Sequence, residues 1–479
     1  MFYLWPFVLL KTKGLFFTDL FYIKIRRIIM SEDLTKGNIN KTLIKFAFPI
    51  FIANMLQSVY GIVDMIFVGR FVGGKGIAAL NSAVMITFII TSICMGITMG
   101  GSVLVSKYKG ENNENKIKDT ISTLFSISMI FALIVTLISL IIYKKIFIFM
   151  NLPSGSLQYA NSYMKIISFG IIFIFGYNAA TSVIKGLGDS KSPLTFVFIA
   201  SIVNIILDYI LIGLLHMGVN GAAYATIISQ AVSFIISIIY LNQHDFIYKL
   251  KINNLYIKKD KAIKIIKIGF PCAVQMTILN VSYLIITKIL NGYGLEITSA
   301  AGIGLKINSF AAMPCWAIGQ SVTTIVSQNI GAEKIINVKK TVKAGIIYTL
   351  ISSFLLIVLI QIFSYEIIEL FNSDITIIKE GILYLRICCS INFVAYGIMY
   401  TLDSFMTGLG DSFMAMLNSI LQSVIIRILF SIILIHYFNL GYIGIYIAEF
   451  LSPILPGIIG IIYYLHFIKL NKAKEKEIE

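Results

Sequence analysis

Twelve apolar stretches, each long enough to cross a bilayer, leave this chain few folds to choose from. They cover about residues 45–69, 77–105, 120–143, 161–185, 192–215, 221–242, 265–290, 298–327, 341–365, 382–407, 414–437 and 441–468. A bilayer core takes roughly 20 apolar residues per helix, and short polar or Gly/Pro-bearing segments separate these runs. Lipid offers a backbone no hydrogen bonds, so the expectation is an all-α integral membrane protein of twelve transmembrane helices. Composition agrees: 58% of the chain is hydrophobic and only 13% charged, where a soluble domain carries about 25% charged residues. A soluble enzyme of this size could not hide that much apolar surface, and a disordered chain would not contain it. Pro49 and Pro271 are expected early in their helices, where a missing N–H costs little.

The net charge of +16 would point to nucleic acid in a soluble protein. Here it follows the loops. With the N-terminus in the cytoplasm, 23 of the 28 lysines and arginines that lie between or beside the spans from residue 31 onward fall on the cytoplasmic side. Only Arg70, Lys75, Lys144, Lys145 and Lys379 fall on the other. That asymmetry predicts both termini inside a cell membrane and removes nucleic acid as a partner. Cys94, Cys272, Cys315, Cys388 and Cys389 all lie in apolar runs with no CxxC pair, and read as small buried hydrophobes. His216, His244, His436 and His466 are scattered, and neither a Walker A nor a strand-linked GxGxxG motif occurs, so no metal centre, nucleotide or other cofactor is expected. Met30-Ser31-Glu32-Asp33 reads as a cytosolic start. Residues 1–29 are therefore expected to be a mis-assigned start, the alternative being an amphipathic segment on the inner leaflet.

The chain repeats itself. Gly186-Leu187-Gly188-Asp189-Ser190 recurs as Gly408-Leu409-Gly410-Asp411-Ser412, and Phe48-Pro49 as Phe270-Pro271, both at an offset of 222. Ser106, Gly110, Thr120 and Asn151 match Ser327, Gly331, Thr341 and Asn372 at 221, and Gly218 and Gly221 match Gly441 and Gly444 at 223. Six helices per copy is an even number, so both copies enter the membrane in the same direction and form a parallel repeat. The expected organisation is a cytoplasmic N-terminus (1–44), an N-lobe (45–242, helices 1–6), a cytoplasmic linker (243–261), a C-lobe (262–468, helices 7–12) and a cytoplasmic tail (469–479). Two such bundles enclose a cleft, the place where secondary transporters bind substrate and rock to alternate access.

Acids within spans are costly and are functional candidates by default. Asp64 lies four residues after Tyr60, and Asp208 four after Asn204, so each pair shares a helix face. The sixth span offers Thr226. At the repeat offset Asp64 becomes Ile286, Asn204 becomes Ile426 and Asp208 becomes Phe430, so the polar set belongs to one copy only. Two carboxylates, an amide and a hydroxyl form a hard oxygen set for Na⁺, and two neighbouring carboxylates that resist double ionisation also suit H⁺. The other reading is a structural hydrogen-bond network. Gln57, Asn178, Asp403 and Glu449 are secondary candidates. Asp403 falls near the cytoplasmic end of its span, where it can reach water. Glu449 aligns with Thr226 after a one-residue shift and is expected either to bind a cationic substrate or to pair with a base such as Arg427.

These residues resemble the multidrug and toxin extrusion (MATE) family. The run from Gln57 to Arg70, QSVYGIVDMIFVGR, is similar to that family's first-helix signature. The helix ending at Gly110, its twin Gln328-Asn329-Ile330-Gly331-Ala332, and the paired GLGDS turns resemble its repeated elements, so the likeness covers about residues 40–468. It implies two six-helix lobes in a V that export organic cations or amphipathic drugs in exchange for Na⁺ or H⁺. In DinF-like and archaeal members an N-lobe site matches Asp64, Asn204, Asp208 and Thr226, with Tyr60 beside them. NorM-like members also use acids whose approximate matches here are Leu279 and Tyr396, so the chain is expected to sit closer to the DinF-like bacterial branch. The expected partners are small drugs and the lipid bilayer, with the protein a monomer. Two alternatives remain. One is a lipid-linked oligosaccharide flippase of the same superfamily, which would favour a cationic cavity. The other is a membrane-embedded enzyme, for which no catalytic set converges on one helix face.

Overall fold

The computed structural model describes residues 33–150, 152–243 and 254–478. The reading of residues 1–29 as a mis-assigned start lies outside them, as does most of the linker. The first copy comprises α1 (Ile39–Val72), α2 (Gly74–Gly110), α3 (Glu114–Phe149), α4 (Ser154–Gly186), α5 (Lys191–Leu214) and α6 (Gly218–Gln243). The second comprises α7 (Lys259–Leu290), α8 (Leu295–Gly331), α9 (Ile335–Ile362), α10, α11 (Ser412–His436) and α12 (Tyr442–Lys472). α10 is a bent pair, Ile375–Cys388 and Asn392–Leu409, at 50° to each other. Among the described residues ten helices are long and apolar enough to span a membrane, and α10 makes an eleventh. α8 is the twelfth, 37 residues long and linking α7 to α9. It is less apolar because it buries Ser321, Thr323, Thr324, Ser327, Gln328 and Asn329 against its neighbours.

Lipid-facing stripes are plain on α3, where Leu133, Leu137 and Ile141 recur every four residues and stand 58%, 62% and 70% exposed. The helices run past their apolar stretches because polar caps start them in the loops. The Asn38 side chain accepts from the Asn40 and Lys41 amides, and that of Asn113 from Lys116. This corrects one expectation: α1 begins at Ile39 and α7 at Lys259, so Pro49 and Pro271 lie inside their helices. Both fall where a helix changes partners. The first half of α1 (Leu43, Phe46, Ile50) packs with Val322, Val342 and Phe405 of the second copy, whereas Val68 packs with Leu80 and Tyr163 of the first. α7 mirrors it, with Ile265 and Ile268 among Leu124 and Val183, and Ile286 and Leu290 among Tyr384 and Tyr446.

The two copies meet toward the lysine-rich loops, and the repeated motifs make the joint. A Cβ on Gly110 would stand 1.9 Å from the Gln328 carbonyl, and one on Gly331 1.9 Å from the Lys107 carbonyl. Ser327 Oγ donates to the Val103 carbonyl (2.7 Å), Gln328 Nε2 to the Gly186 carbonyl (2.9 Å) and Asn329 Nδ2 to the Leu34 carbonyl (3.2 Å). The twin GLGDS turns serve the same architecture. Gly188 and Gly410 take positive φ (101° and 90°) to end α4 and α10. Asp189 then accepts from Tyr240 Oη (2.6 Å), as Asp411 does from Tyr463 Oη (2.8 Å). The bend in α10 is kept satisfied by Gln361 of α9, whose Nε2 donates to the Leu385 and Cys389 carbonyls, both at 2.9 Å. A broken helix in lipid needs such partners.

Candidate functional site

Three helices of the first copy bring the sequence candidates together. α1 carries Tyr60 and Asp64, α5 carries Asn204 and Asp208, and α6 carries Thr226. Asp208 is 0% exposed, Asn204 1% and Asp64 6%. Asn204, Asp208 and Thr226 all lie against the Asp64 carboxyl. Thr226 Oγ1 donates to the Ala222 carbonyl at 2.9 Å and stands 3.5 Å from Asp64 Oδ2. A hydroxyl has one proton, so commitment to Ala222 leaves a lone pair toward the carboxylate. Directly after Asp208 the backbone of α5 becomes a π-helix over Tyr209–Leu214, a distortion frequent at functional sites.

What sets this cluster apart is unmet hydrogen-bonding capacity. Asp64 Oδ1, both Asp208 oxygens, and Asn204 Oδ1 and Nδ2 are buried with no hydrogen-bond partner. Among the described residues neither acid is ion-paired. Buried polar groups are ordinarily satisfied, and buried charges paired or bound to a cation. A small cation placed among these oxygens, or a proton shared between the acids, answers that deficit, so the residues present fit an exchangeable cation.

Two further residues complete the wall. Tyr163 of α4 lies against Thr226 and within electrostatic reach of both acids, and Gln230 of α6 lies against Tyr60. Gln230 was accessible to sequence reasoning, since it follows Thr226 by one helical turn. Tyr163 sits in an apolar helix among other aromatics and gave no such signal. Gln57 is exposed two turns before Asp64. Asn178 Nδ2 donates to its own helix at Ile174 (2.8 Å).

The second copy is built differently. Glu449 of α12 pairs with Arg427 of α11, which is 1% exposed. Asp403 does not reach water: it is 3% exposed and its Oδ1 accepts from Asn418 Nδ2 at 2.8 Å. α10 carries it against α11 about a turn and a half short of the helix end. The five cysteines are all buried and free.

A duplicated twelve-helix bundle, apolar outside, with an acidic cluster buried in one copy, has the build of a multi-pass membrane transporter. Comparison with known proteins makes this specific: the family model MatE matches residues 49–210 and 271–433, once per copy, and the chain belongs to that family. It is 29% identical over 353 residues to the probable multidrug resistance protein YoeA of Bacillus subtilis, covering 72% of this chain and 76% of that one. It is 25% identical over 432 residues to the probable multidrug resistance protein NorM of Thermotoga maritima, covering 89% and 92%. Among solved structures, an outward-facing multidrug resistance MATE family transporter of the MOP superfamily superposes with a TM-score of 0.87 at 19% identity, over 92% of this chain and 98% of that one. A MOP superfamily transporter from Pyrococcus furiosus gives 0.87 at 19%, over 93% and 99%. These likenesses establish the two-lobe fold.

Proposed function

We propose that the protein is a cation-coupled antiporter of a cell membrane, with both termini cytoplasmic, acting as a monomer to export organic cations and amphipathic drugs. The observation that carries this reading is the buried acid pair Asp64 and Asp208, three of whose four carboxylate oxygens lack a hydrogen-bond partner, present in one copy and absent from its twin. The relatives' names, multidrug resistance and multidrug export proteins, support the cargo. Na⁺ and H⁺ are the two ions the donor set fits. With a cation bound, the N-lobe cluster is neutralised and its helices can pack tightly. With the cation released, two bare carboxylates repel, and α1, which threads both lobes, transmits the change to the cleft. Exchange then follows if drug and cation favour opposite arrangements of the lobes.

The test is efflux of ethidium from proteoliposomes under imposed Na⁺ or H⁺ gradients. One gradient is expected to drive efflux in the native protein and neither in Asp64→Asn or Asp208→Asn, both still folded. Undiminished gradient-driven efflux in either variant refutes the site. A native protein indifferent to both gradients refutes the coupled mechanism and favours a flippase.

A further inference from the structure

The place that holds the acid cluster in the first copy is not vacant of charge in the second. The repeat offset steps from 222 at Ser190 and Ser412 to 223 at Gly218 and Gly441. Between them lies the π-helical stretch Leu421–Phe430 of α11, the kind of distortion that accommodates an extra residue in a helix. With that step taken before Arg427, early in the π-helical stretch, Arg427 takes the place of Asn204, and Glu449 that of Thr226. Ser282 stands for Tyr60, and Tyr384 for Tyr163.

The charged groups there are paired with each other, although the hydroxyls of Tyr384 and Tyr446 beside them are buried without a hydrogen-bond partner. Arg427 Nε donates to Glu449 Oε2, Nη1 to Ser282 Oγ (2.9 Å), and Nη2 to Glu449 Oε1 (3.2 Å) and Tyr283 Oη (3.3 Å). The guanidinium also lies over the Tyr283 ring, 4.2 Å from its centroid. Tyr283 Oη reaches Glu449 Oε1 at 3.3 Å. The two copies thus solve one problem in two ways. The first leaves three of its four carboxylate oxygens without a hydrogen-bond partner, and the second supplies a partner covalently attached to α11.

We infer that Arg427 is a tethered cation: it fills, permanently and from within the chain, the C-lobe position equivalent to the exchangeable-cation site of the N-lobe, and so confines ion exchange to one lobe. The inference rests on the N-lobe reading above for its meaning but not for its test. If it holds, Glu449 with Tyr283 and Ser282 is a latent cation site, masked by a guanidinium that cannot leave. A guanidinium suits that task because it stays charged at any working pH and bonds a carboxylate through two nitrogens.

The experiment counts cations bound by the purified full-length protein, by ²²Na⁺ binding and by proton uptake with a pH-sensitive dye. Each variant is compared with its own parent, so a failed N-lobe site does not confound the result. Arg427→Gln, made in the native chain and in Asp64→Asn/Asp208→Asn, is expected to add one exchangeable cation per chain, Na⁺ or H⁺. Glu449→Gln added to it should remove that gain, and Arg427→Lys, which keeps a tethered charge, should show none. A folded Arg427→Gln protein that gains no cation, or a gain that survives Glu449→Gln, overturns the inference. Should Arg427→Gln fail to fold, Arg427→Gln/Glu449→Gln is expected to fold and to bind as many cations as the native chain, and fewer would overturn it. Equal binding by native and Asp64→Asn/Asp208→Asn proteins would instead sink the N-lobe reading alone.

Discussion

Asp208→Asn should stabilise the protein in cation-free buffer, although it alters a fully buried residue. Both carboxylate oxygens of Asp208 lack a partner, and the neighbouring acid Asp64 has one unpartnered oxygen of its own. Leaving a buried polar group unsatisfied costs about 1–3 kcal/mol, more when it is charged. Asparagine has nearly the same shape, adds an N–H₂ donor that can meet Asp64, and removes the repulsion. The expected gain without cation is therefore about 1–3 kcal/mol. Adding the coupling cation reverses the order. Binding to the native protein alone contributes about 2.7 kcal/mol at a hundredfold excess over Kd, and the variant forgoes it. The assay is thermal unfolding of the detergent-purified protein at fixed heating rate, in a cation-free buffer at raised pH and then with Na⁺ or at acid pH. The midpoint of the native protein should climb with one of these cations, while that of the variant stays level from a higher start. A variant that melts well below the native protein without cation would mean Asp208 is held by bonds that stabilise the fold, and the reasoning would fail.

The C-lobe pair should behave in the opposite sense. Arg427→Gln strands Glu449 and is expected to cost about 3–5 kcal/mol, with much of it recovered in Arg427→Gln/Glu449→Gln, both read as unfolding midpoints. Tyr240→Phe and Tyr463→Phe each delete a hydrogen bond to a carboxyl group, that of Asp189 or Asp411. Each should lower stability by about 1.5–3 kcal/mol, and by similar amounts because the repeat gives them equivalent places. Gly331→Ala puts a methyl 1.9 Å from the Lys107 carbonyl, so the lobes must part at the lysine-rich end. Cysteine cross-linking between positions 103 and 327, which meet across the joint, should fall in that variant while expression persists.

Much of this architecture could be read from the sequence, because lipid enforces it. Each span must be apolar over its length, so hydropathy alone finds the helices. A tandem duplication leaves paired signatures such as GLGDS, whose glycines and aspartate do the same work twice. The coming together of Asp64, Asn204, Asp208 and Thr226 was legible for a related reason: the twin copy is a control for what the fold itself requires. Four things were not legible. Helix starts depend on single capping side chains such as Asn38, so Pro49 and Pro271 were expected near helix starts and proved internal. The exchange of α1 and α7 between the two copies leaves no mark in a linear pattern. The completeness of the Arg427–Glu449 arrangement depends on Ser282 and Tyr283 arriving from a third helix, and the extra residue in the π-helical stretch hides the equivalence from a constant-offset alignment. Tyr163 was missed because a tyrosine in an apolar helix looks like packing until its neighbours are known.

In the proposed mechanism Asp64 and Asp208 together hold the cation whose gradient drives transport. The most direct measurement is ethidium transport by reconstituted Asp208→Asn in two modes: uphill efflux driven by a cation gradient, and downhill movement along ethidium's own gradient with none. The variant is expected to lose the driven mode and to become insensitive to Na⁺ and to pH, while the lobes still exchange access and downhill movement persists. Driven efflux at the native rate, with its cation dependence intact, would contradict it.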